Sequence, residues 1–208
     1  MSTSQRPPAE AEGRPLSEEA IVEAARELTH EVGVERLTMR ALADSLGVSP
    51  MATYYYVKGR DSLLLLMVER VMSEVSPPDP GSAEPWDVRL WRYMCDMREA
   101  LARYPGIDDF LLRHELSGAG RRYMESCIAI LVDGGFTPAD ARSAFSVIYT
   151  YMWGGSIFLG MQNRRRAAGR RRSKAGPVPS IDELASLEAT KAGYETIVAG
   201  LRHTYRLA

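Results

Sequence analysis

Residues 37–64, LTMRALADSLGVSPMATYYYVKGRDSLL, constrain the fold more than any other stretch of this chain. They read as a short helix, a glycine turn, a second short helix and the start of a third. That is the grammar of a helix-turn-helix, which lays its second helix in the DNA major groove. Thr38 is a good N-cap, and Leu37 before it can pack on Leu42 as a hydrophobic staple. Leu42, Ala43 and Leu46 give one apolar face. Gly47 follows where a helix ending in the left-handed conformation wants glycine. Val48 can tuck inward from the turn. Ser49 caps the next helix, and Pro50 fits its first position, where a missing N–H costs nothing. That helix is predicted over Pro50–Tyr56. Alone it would be marginal, so it needs a scaffold. Val57 closes its inner side. Lys58-Gly59-Arg60 then breaks the chain before a long apolar helix predicted over Asp61–Val75.

The outer face of the second short helix carries Met51, Ala52, Tyr55 and Tyr56, with Tyr54 at its edge and Lys58 just beyond. Small and aromatic side chains let a helix sit deep in a groove and touch base edges or thymine methyls. Tyrosine hydroxyls and a lysine can hold phosphates and fix register. The competing reading is that three successive tyrosines simply pack into a core. A helix cannot bury three consecutive side chains on one narrow stripe, so at least one must face out.

Residues 16–64 resemble the N-terminal DNA-binding domain of the tetracycline-repressor (TetR) family. The resemblance rests on the acidic first helix in LSEEAIVEAARELTHEVGVERLTMR, on LTMRALADSLGVSPMATYYYV and on KGRDSLL. It covers about a quarter of the chain closely. The remainder matches in length, helical character and the GGxxxxG stretch near residue 155. The resemblance implies a homodimer, a ligand-binding C-terminal domain and repression relieved by a small molecule. By motif position it implies DNA contacts from Thr38, Arg40, Pro50, Met51, Ala52, Tyr54, Tyr55, Tyr56 and Lys58. Thr53 departs from the family's usual inward leucine. Either the reading helix sits less firmly, or Thr53 bonds its i−4 carbonyl. Tyr56 stands where histidine is frequent, so base preferences do not carry over from a relative.

The net charge of −1 looks wrong for a DNA binder until its distribution is read. The first helix carries Glu18, Glu19, Glu23, Glu27, Glu31 and Glu35. From Arg36 to Arg60 the basic residues are Arg36, Arg40, Lys58 and Arg60, against Asp44 within and Asp61 just outside. The reading surface is therefore locally basic, and a salt dependence worth only a few phosphates per subunit is expected. The first helix should present Ile21, Ala24, Ala25, Leu28 and Val32 inward, with Ser17 as cap, Leu16 stapled to Ile21 and Gly33 as its end.

Residues 1–15, MSTSQRPPAEAEGRP, read as a disordered arm without the apolar centre of a signal peptide. No apolar run reaches the ~18 residues of a membrane span. Cys95 and Cys127 have no CxxC spacing, so neither a disulfide framework nor a zinc site is indicated. No cofactor and no metal are expected, and the location is read as cytoplasmic.

The domain plan is a helix-turn-helix domain with its connecting helix over 16–75, a linker over 76–85 and a ligand-binding and dimerisation domain over 86–208. In the linker, SPPDPGSAEP, four prolines and a glycine cannot stay helical. The pattern beyond it is helical throughout: Trp86–Tyr104, Ile107–His114, Arg121–Asp133, a long helix from Pro138 to about Asn163 capped by Thr137, and a last helix from Ile181 to Tyr205 capped by Ser180. Pro105-Gly106, Ser117-Gly118 with Gly120, and Gly134-Gly135 are the breaks. No alternating strand pattern occurs, so the fold is all-α.

Residues 143–160, SAFSVIYTYMWGGSIFLG, are apolar nearly all round, which requires burial on more than one side. Gly154, Gly155 and Gly160 each cost about 1 kcal/mol in a helix, which argues for close helix approach or a kink. The last helix supplies Leu184, Leu187, Ala192, Ile197, Val198 and Leu201. Together the two helices would form a four-helix dimer interface; a monomeric bundle core is the alternative. Met94, Met97, Phe110, Tyr123, Tyr149, Met152 and Trp153 are the candidate lining of a pocket for a hydrophobic ligand with a few polar handles. Such residues also make plain core. Arg164–Lys174, RRRAAGRRRSK, is either a solvated loop or a contact for an acidic ligand, a second DNA segment or a partner protein.

Three functions remain in view. One is a dimeric repressor of a double-stranded, palindromic DNA operator, released by a small-molecule effector. Another is a helical DNA-binding regulator without small ligand, controlled by a protein partner, which predicts a filled C-terminal core. The third, an enzyme, is disfavoured, since three scattered histidines offer no nucleophile–base constellation.

Overall fold

The structure, a computed structural model, describes residues 16–115, 118–167, 183 and 186–207. Helix α1 (Glu18–Val32) starts at Ser17, whose Oγ accepts from the Ala20 amide at 3.2 Å. It stops at Gly33, and a 3-10 turn (Val34–Arg36) leads to α2 (Met39–Ser45) and α3 (Pro50–Tyr54). Helix α4 (Arg60–Ser73) follows Gly59. After the proline-rich stretch come α5 (Trp86–Ala102), α6 (Ile107–Leu111), α7 (Ala119–Asp133), α8 (Pro138–Ala167) and α9 (Leu187–Tyr205). Every regular element among the described residues is helical.

The first helix is seated slightly differently from its predicted stripe. Ile21, Val22, Ala25 and Thr29 are buried, whereas Val32 is 38% exposed. The i, i+4, i+8 row of Ile21, Ala25 and Thr29 points at the core, and Val32 falls past its edge at the helix end. Helix α4 is buried on both sides through Leu63, Leu64, Met67, Val68, Val71 and Met72, which lets one element serve the N-terminal helices and the larger body together.

Two predicted boundaries move for tertiary reasons. Gly120 does not break the chain: it lies inside α7, which begins at Ala119. Glu69 of α4 supplies the missing cap, accepting from the Ala119 amide and, at 3.1 Å, from Arg122 Nη2. The last helix is capped at Ser186, whose Oγ accepts from the Ala189 amide at 3.1 Å. The predicted cap Ser180 and Leu184 lie outside the described residues, as do residues 1–15 and, in the basic run, the side chains of 164–167 and all of 168–174.

The core runs as one cluster from Ile21 to Val198. Helices α8 and α9 approach closely. A Cβ on Gly193 would meet the Tyr151 hydroxyl oxygen, so glycine is needed there. That hydroxyl lies 3.2 Å from the carbonyls of both Ala189 and Thr190 and donates to them. The opposite face of this pair is open: Val147 and Phe158 are half exposed, and Leu187, Ala192 and Gly200 face solvent.

The N-terminal helices are tied to the body at one corner. Arg26 of α1 makes a two-armed pair with Glu74 at 2.8 and 2.9 Å and donates from Nε to the Tyr104 hydroxyl at 3.2 Å. The Val34 amide adds a bond to the Pro105 carbonyl at 2.8 Å.

Candidate DNA-reading surface and ligand cavity

The turn between α2 and α3 is set by backbone bonds. Gly47 takes φ +66°; its amide donates to Asp44 O at 3.3 Å, and the Val48 amide donates to Ala43 O at 3.0 Å. This paired 5→2 and 6→1 pattern is a Schellman motif, and it reverses the chain within two residues. Ser49 Oγ then accepts from the Ala52 amide at 3.3 Å, and Pro50 opens α3.

Helix α3 shows two distinct sides. Met51 is 78% exposed, Tyr55 76% and Tyr54 49%, and Pro50 and Lys58 also face solvent. Ala52, expected on the outer face, is instead buried with Thr53, because a helix of only five residues needs both to hold it to the scaffold. Thr53 is fully buried, and its Oγ1 donates to the Pro50 carbonyl at 2.8 Å, the i−3 rather than the i−4 position. Its hydroxyl is satisfied locally, so threonine seats the helix where leucine is usual. Tyr56 is half buried against the core and meets Tyr55 edge-on at 5.3 Å.

On α2, Thr38 and Arg40 are exposed. Thr38 Oγ1 already accepts from the Ala41 amide at 3.0 Å, and Arg40 lies 4.0 Å from Asp44 in a loose pair. Arg60, counted above as part of the basic surface, turns inward. Its Nε donates to Leu37 O at 2.8 Å and its Nη2 to Val34 O at 2.7 Å. It clamps α4 to the loop before α2, a long-range role that carries no local sequence signal.

The second site lies in the body. Helices α4 to α8 surround a cleft of about 620 Å³ of empty space, counted to its open mouth. Its enclosed cavity volume is only about 50 Å³, so a larger ligand must displace side chains. Met94, Met97, Tyr123, Tyr149, Met152 and Trp153 of the predicted set line it. Phe110 does not: it is fully buried and stacks on His114 at 4.0 Å, because α6 is a single short turn whose inward side is used as core. Sequence patterning missed Met72, which reaches the cavity from α4, and the polar residues Arg98, Asp108 and Ser156. The spacing of Met94, Met97, Arg98 and Leu101 at i, i+3, i+4 and i+7 was the available signal for Arg98.

The cavity wall is adaptable and neutral where it is deepest. Tyr149 and Trp153 stack with ring planes 17° apart at 5.9 Å. Burial pushes the Tyr123 and Tyr149 phenols above their ordinary range, so both stay protonated as hydrogen-bond donors. Beneath them burial pushes the Cys127 thiol up to about 12, which removes thiolate reactivity at neutral pH. Among the described residues no group of histidine, cysteine and carboxylate side chains is arranged to hold a metal, and no helix is long and apolar enough to cross a membrane.

A solvent-facing helix held by a Schellman turn, joined through one shared helix to a cavity-bearing bundle, defines the class of two-part helical helix-turn-helix proteins. The chain belongs to the TetR family: bacterial regulatory proteins of the tetR family match residues 21–67, and the tetracyclin repressor-like C-terminal domain matches residues 77–201.

Relatives span several bacteria. An HTH-type transcriptional repressor of Mycobacterium tuberculosis is 29% identical over 160 residues, which is 74% of this chain and 61% of that protein. The chain thus aligns with only 61% of the length of that mycobacterial relative. The class A tetracycline repressor from transposon 1721 of Escherichia coli is 29% identical over 200 residues, 89% of this chain and 90% of the relative. ActR of Streptomyces coelicolor, solved with actinorhodin, shares the fold with a TM-score of 0.73 at 24% identity, covering 92% of this chain and 97% of ActR. BioQ, solved with its double-stranded DNA operator, shares it with a TM-score of 0.66 at 19% identity, covering 90% and 98%.

Proposed function

We propose that this protein is a transcriptional repressor that reads a palindromic operator with α3 and is released when a small hydrophobic molecule enters the cavity. The observation that carries this reading is the double use of α4. Its Leu63, Leu64 and Met67 are fully buried in the continuous core beside the N-terminal helices, while its Met72 lines the cavity. A ligand that displaces Met72 acts directly on the element that positions the reading helix. The methionine- and aromatic-lined cleft favours small-ligand control over control by a protein partner, with the ligand displacing side chains because the enclosed space itself is only about 50 Å³.

On this reading the chain divides into a reading domain over 16–75 and a ligand-binding and dimerisation domain over 86–208, joined by 76–85. DNA contacts come from Met51, Tyr54, Tyr55 and Lys58, with Thr38, Arg40, Pro50 and the rim of Tyr56 flanking them. A helix of five residues touches too few bases alone, so two copies on two half-sites are required. The open face of α8 and α9, with Val147, Phe158 and Leu187, is the surface that pairs them. The protein works as a binding protein rather than an enzyme, in the cytoplasm with the DNA. The relatives' names as repressors and regulators support this.

Selection of bound fragments from the source genome by the purified chain tests the reading. A palindromic site recovered by the parent and lost in a Tyr54→Ala/Lys58→Ala variant is the expected result. No enrichment by folded protein, or equal enrichment by the variant, refutes α3 as the reader.

A further inference from the structure

Helix α5 and its C-cap Arg103 carry four arginines whose surroundings differ. Arg89 pairs with Asp133, Arg92 with Glu84 through two bonds at 2.6 and 3.0 Å, and Arg103 with Glu99 at 3.8 Å. Arg98 has no carboxylate partner among the described residues, although Asp96 and Glu99 are its near neighbours in sequence. Its position explains why. It sits on the same stripe as Met94, Met97 and Leu101, half buried, and it lines the cavity, whereas i−2 and i+1 neighbours project from other faces. Asp108, the carboxylate in the same described lining, is itself not free.

A half-buried guanidinium with no carboxylate partner among the described residues, set beside the methionines and aromatic rings of the wall, is placed to receive an acidic group. We infer that the effector is an organic anion with a flat aromatic body, its acidic group held by Arg98. This rests on the cavity being the effector site, as proposed above, and adds the chemical class of the occupant. Guanidinium geometry matches two oxygens of a planar carboxylate, or two of the three on a tetrahedral sulfonate, with two parallel bonds. The near-parallel Tyr149 and Trp153 rings and the methionine wall accept the flat body, with thioethers adapting to its outline. The protonated Tyr149 hydroxyl supplies a neutral donor for a further oxygen, and Ser156 Oγ, whose proton goes to the Met152 carbonyl at 3.2 Å, supplies an acceptor.

Two fluorescent probes with the same ring system test the charge requirement on the full chain. One is 8-anilino-1-naphthalenesulfonate, an anion; the other is N-phenyl-1-naphthylamine, which is uncharged. Affinities of both are measured for the parent, Arg98→Met, Arg98→Lys and Ser156→Phe, the last chosen to fill the cavity. The inference expects Arg98→Met to weaken the sulfonate roughly 10- to 100-fold, the loss of a charge-assisted contact, while leaving the uncharged probe unchanged. Arg98→Lys retains part of the sulfonate affinity, and Ser156→Phe weakens both probes. If Ser156→Phe weakens both but Arg98→Met affects them alike or not at all, the anion assignment is overturned and the cavity survives as a binding site. If Ser156→Phe leaves both unaffected, the cavity is not the binding site and both readings fall.

Discussion

Replacing Gly47 isolates the backbone geometry that aims the reading helix. Gly47 holds φ +66°, and a Cβ built there meets nothing within 4 Å. Any cost of Gly47→Ala is therefore conformational rather than steric. Placing an L-residue in the left-handed region costs about 1–2 kcal/mol. Loss of glycine's freedom in the unfolded chain returns about 0.4–1 kcal/mol. The net is about 1 kcal/mol, localised to the α2–α3 turn. Gly47→Asn should cost a few tenths of a kcal/mol, since asparagine tolerates this conformation best among side-chain-bearing residues. A β-branched Gly47→Val should cost the most. The assay is native-state hydrogen exchange at the Val48 amide, which donates to Ala43 O at 3.0 Å. For Gly47→Ala its open population should rise by about fivefold, with amides of α7 unaffected. Alanine equal to glycine, or asparagine worse than alanine, would refute the left-handed cap as what sets the turn.

Tyr55→Ala should weaken operator binding without moving the denaturation midpoint, because Tyr55 is 76% exposed; a matched loss of stability would show that it is structural. Lys58→Ala should lower the salt slope of binding by about 1 per subunit, read from affinities across a salt series. Asp133→Ala leaves the guanidinium of Arg89, 4% exposed and with an unbonded Nε, buried without its partner. Because Asp133 is half exposed, the cost is discounted to about 1–3 kcal/mol. Arg89→Met should cost less, and urea titration of both variants orders them. The Cys127 thiol, raised by burial from 9.0 to about 12, keeps its proton in the native state when the unfolded chain has lost it. Stability should therefore fall as pH rises from about 9 to about 12, and Cys127→Ala should flatten that slope in urea midpoints.

Much of the reading head is legible without coordinates because its determinants are local. Thr38, Gly47, Ser49 and Pro50 each act on backbone groups within five residues, and the structure places each in the predicted role. The buried residues of α4, Leu63, Leu64, Met67, Val68, Val71 and Met72, recur at the 3.6-residue repeat. What failed was orientation at the margins. Periodicity points Ala52 at the groove, but it lies inside; it points Phe110 at the cavity, but it lies in the core; it points Val32 at the core, but it faces out. Each sits within a short helix or at a helix end, where a few degrees of rotation decide the face and periodicity has too few turns to resolve it.

The sequence by itself determined the all-helical class, the order of the helices, the helix-turn-helix and the stretch that cannot be helical. These depend on caps, breakers and periodicity, which act over one or two turns. Only the tertiary structure decided that Arg60 is a clamp rather than a phosphate contact, that Glu69 caps a helix fifty residues away, and that Met72 and Arg98 meet in one cavity. Those outcomes depend on which helices lie side by side once the chain has closed on its core. Nothing in the local pattern of an arginine, a glutamate or a methionine records that distant neighbour.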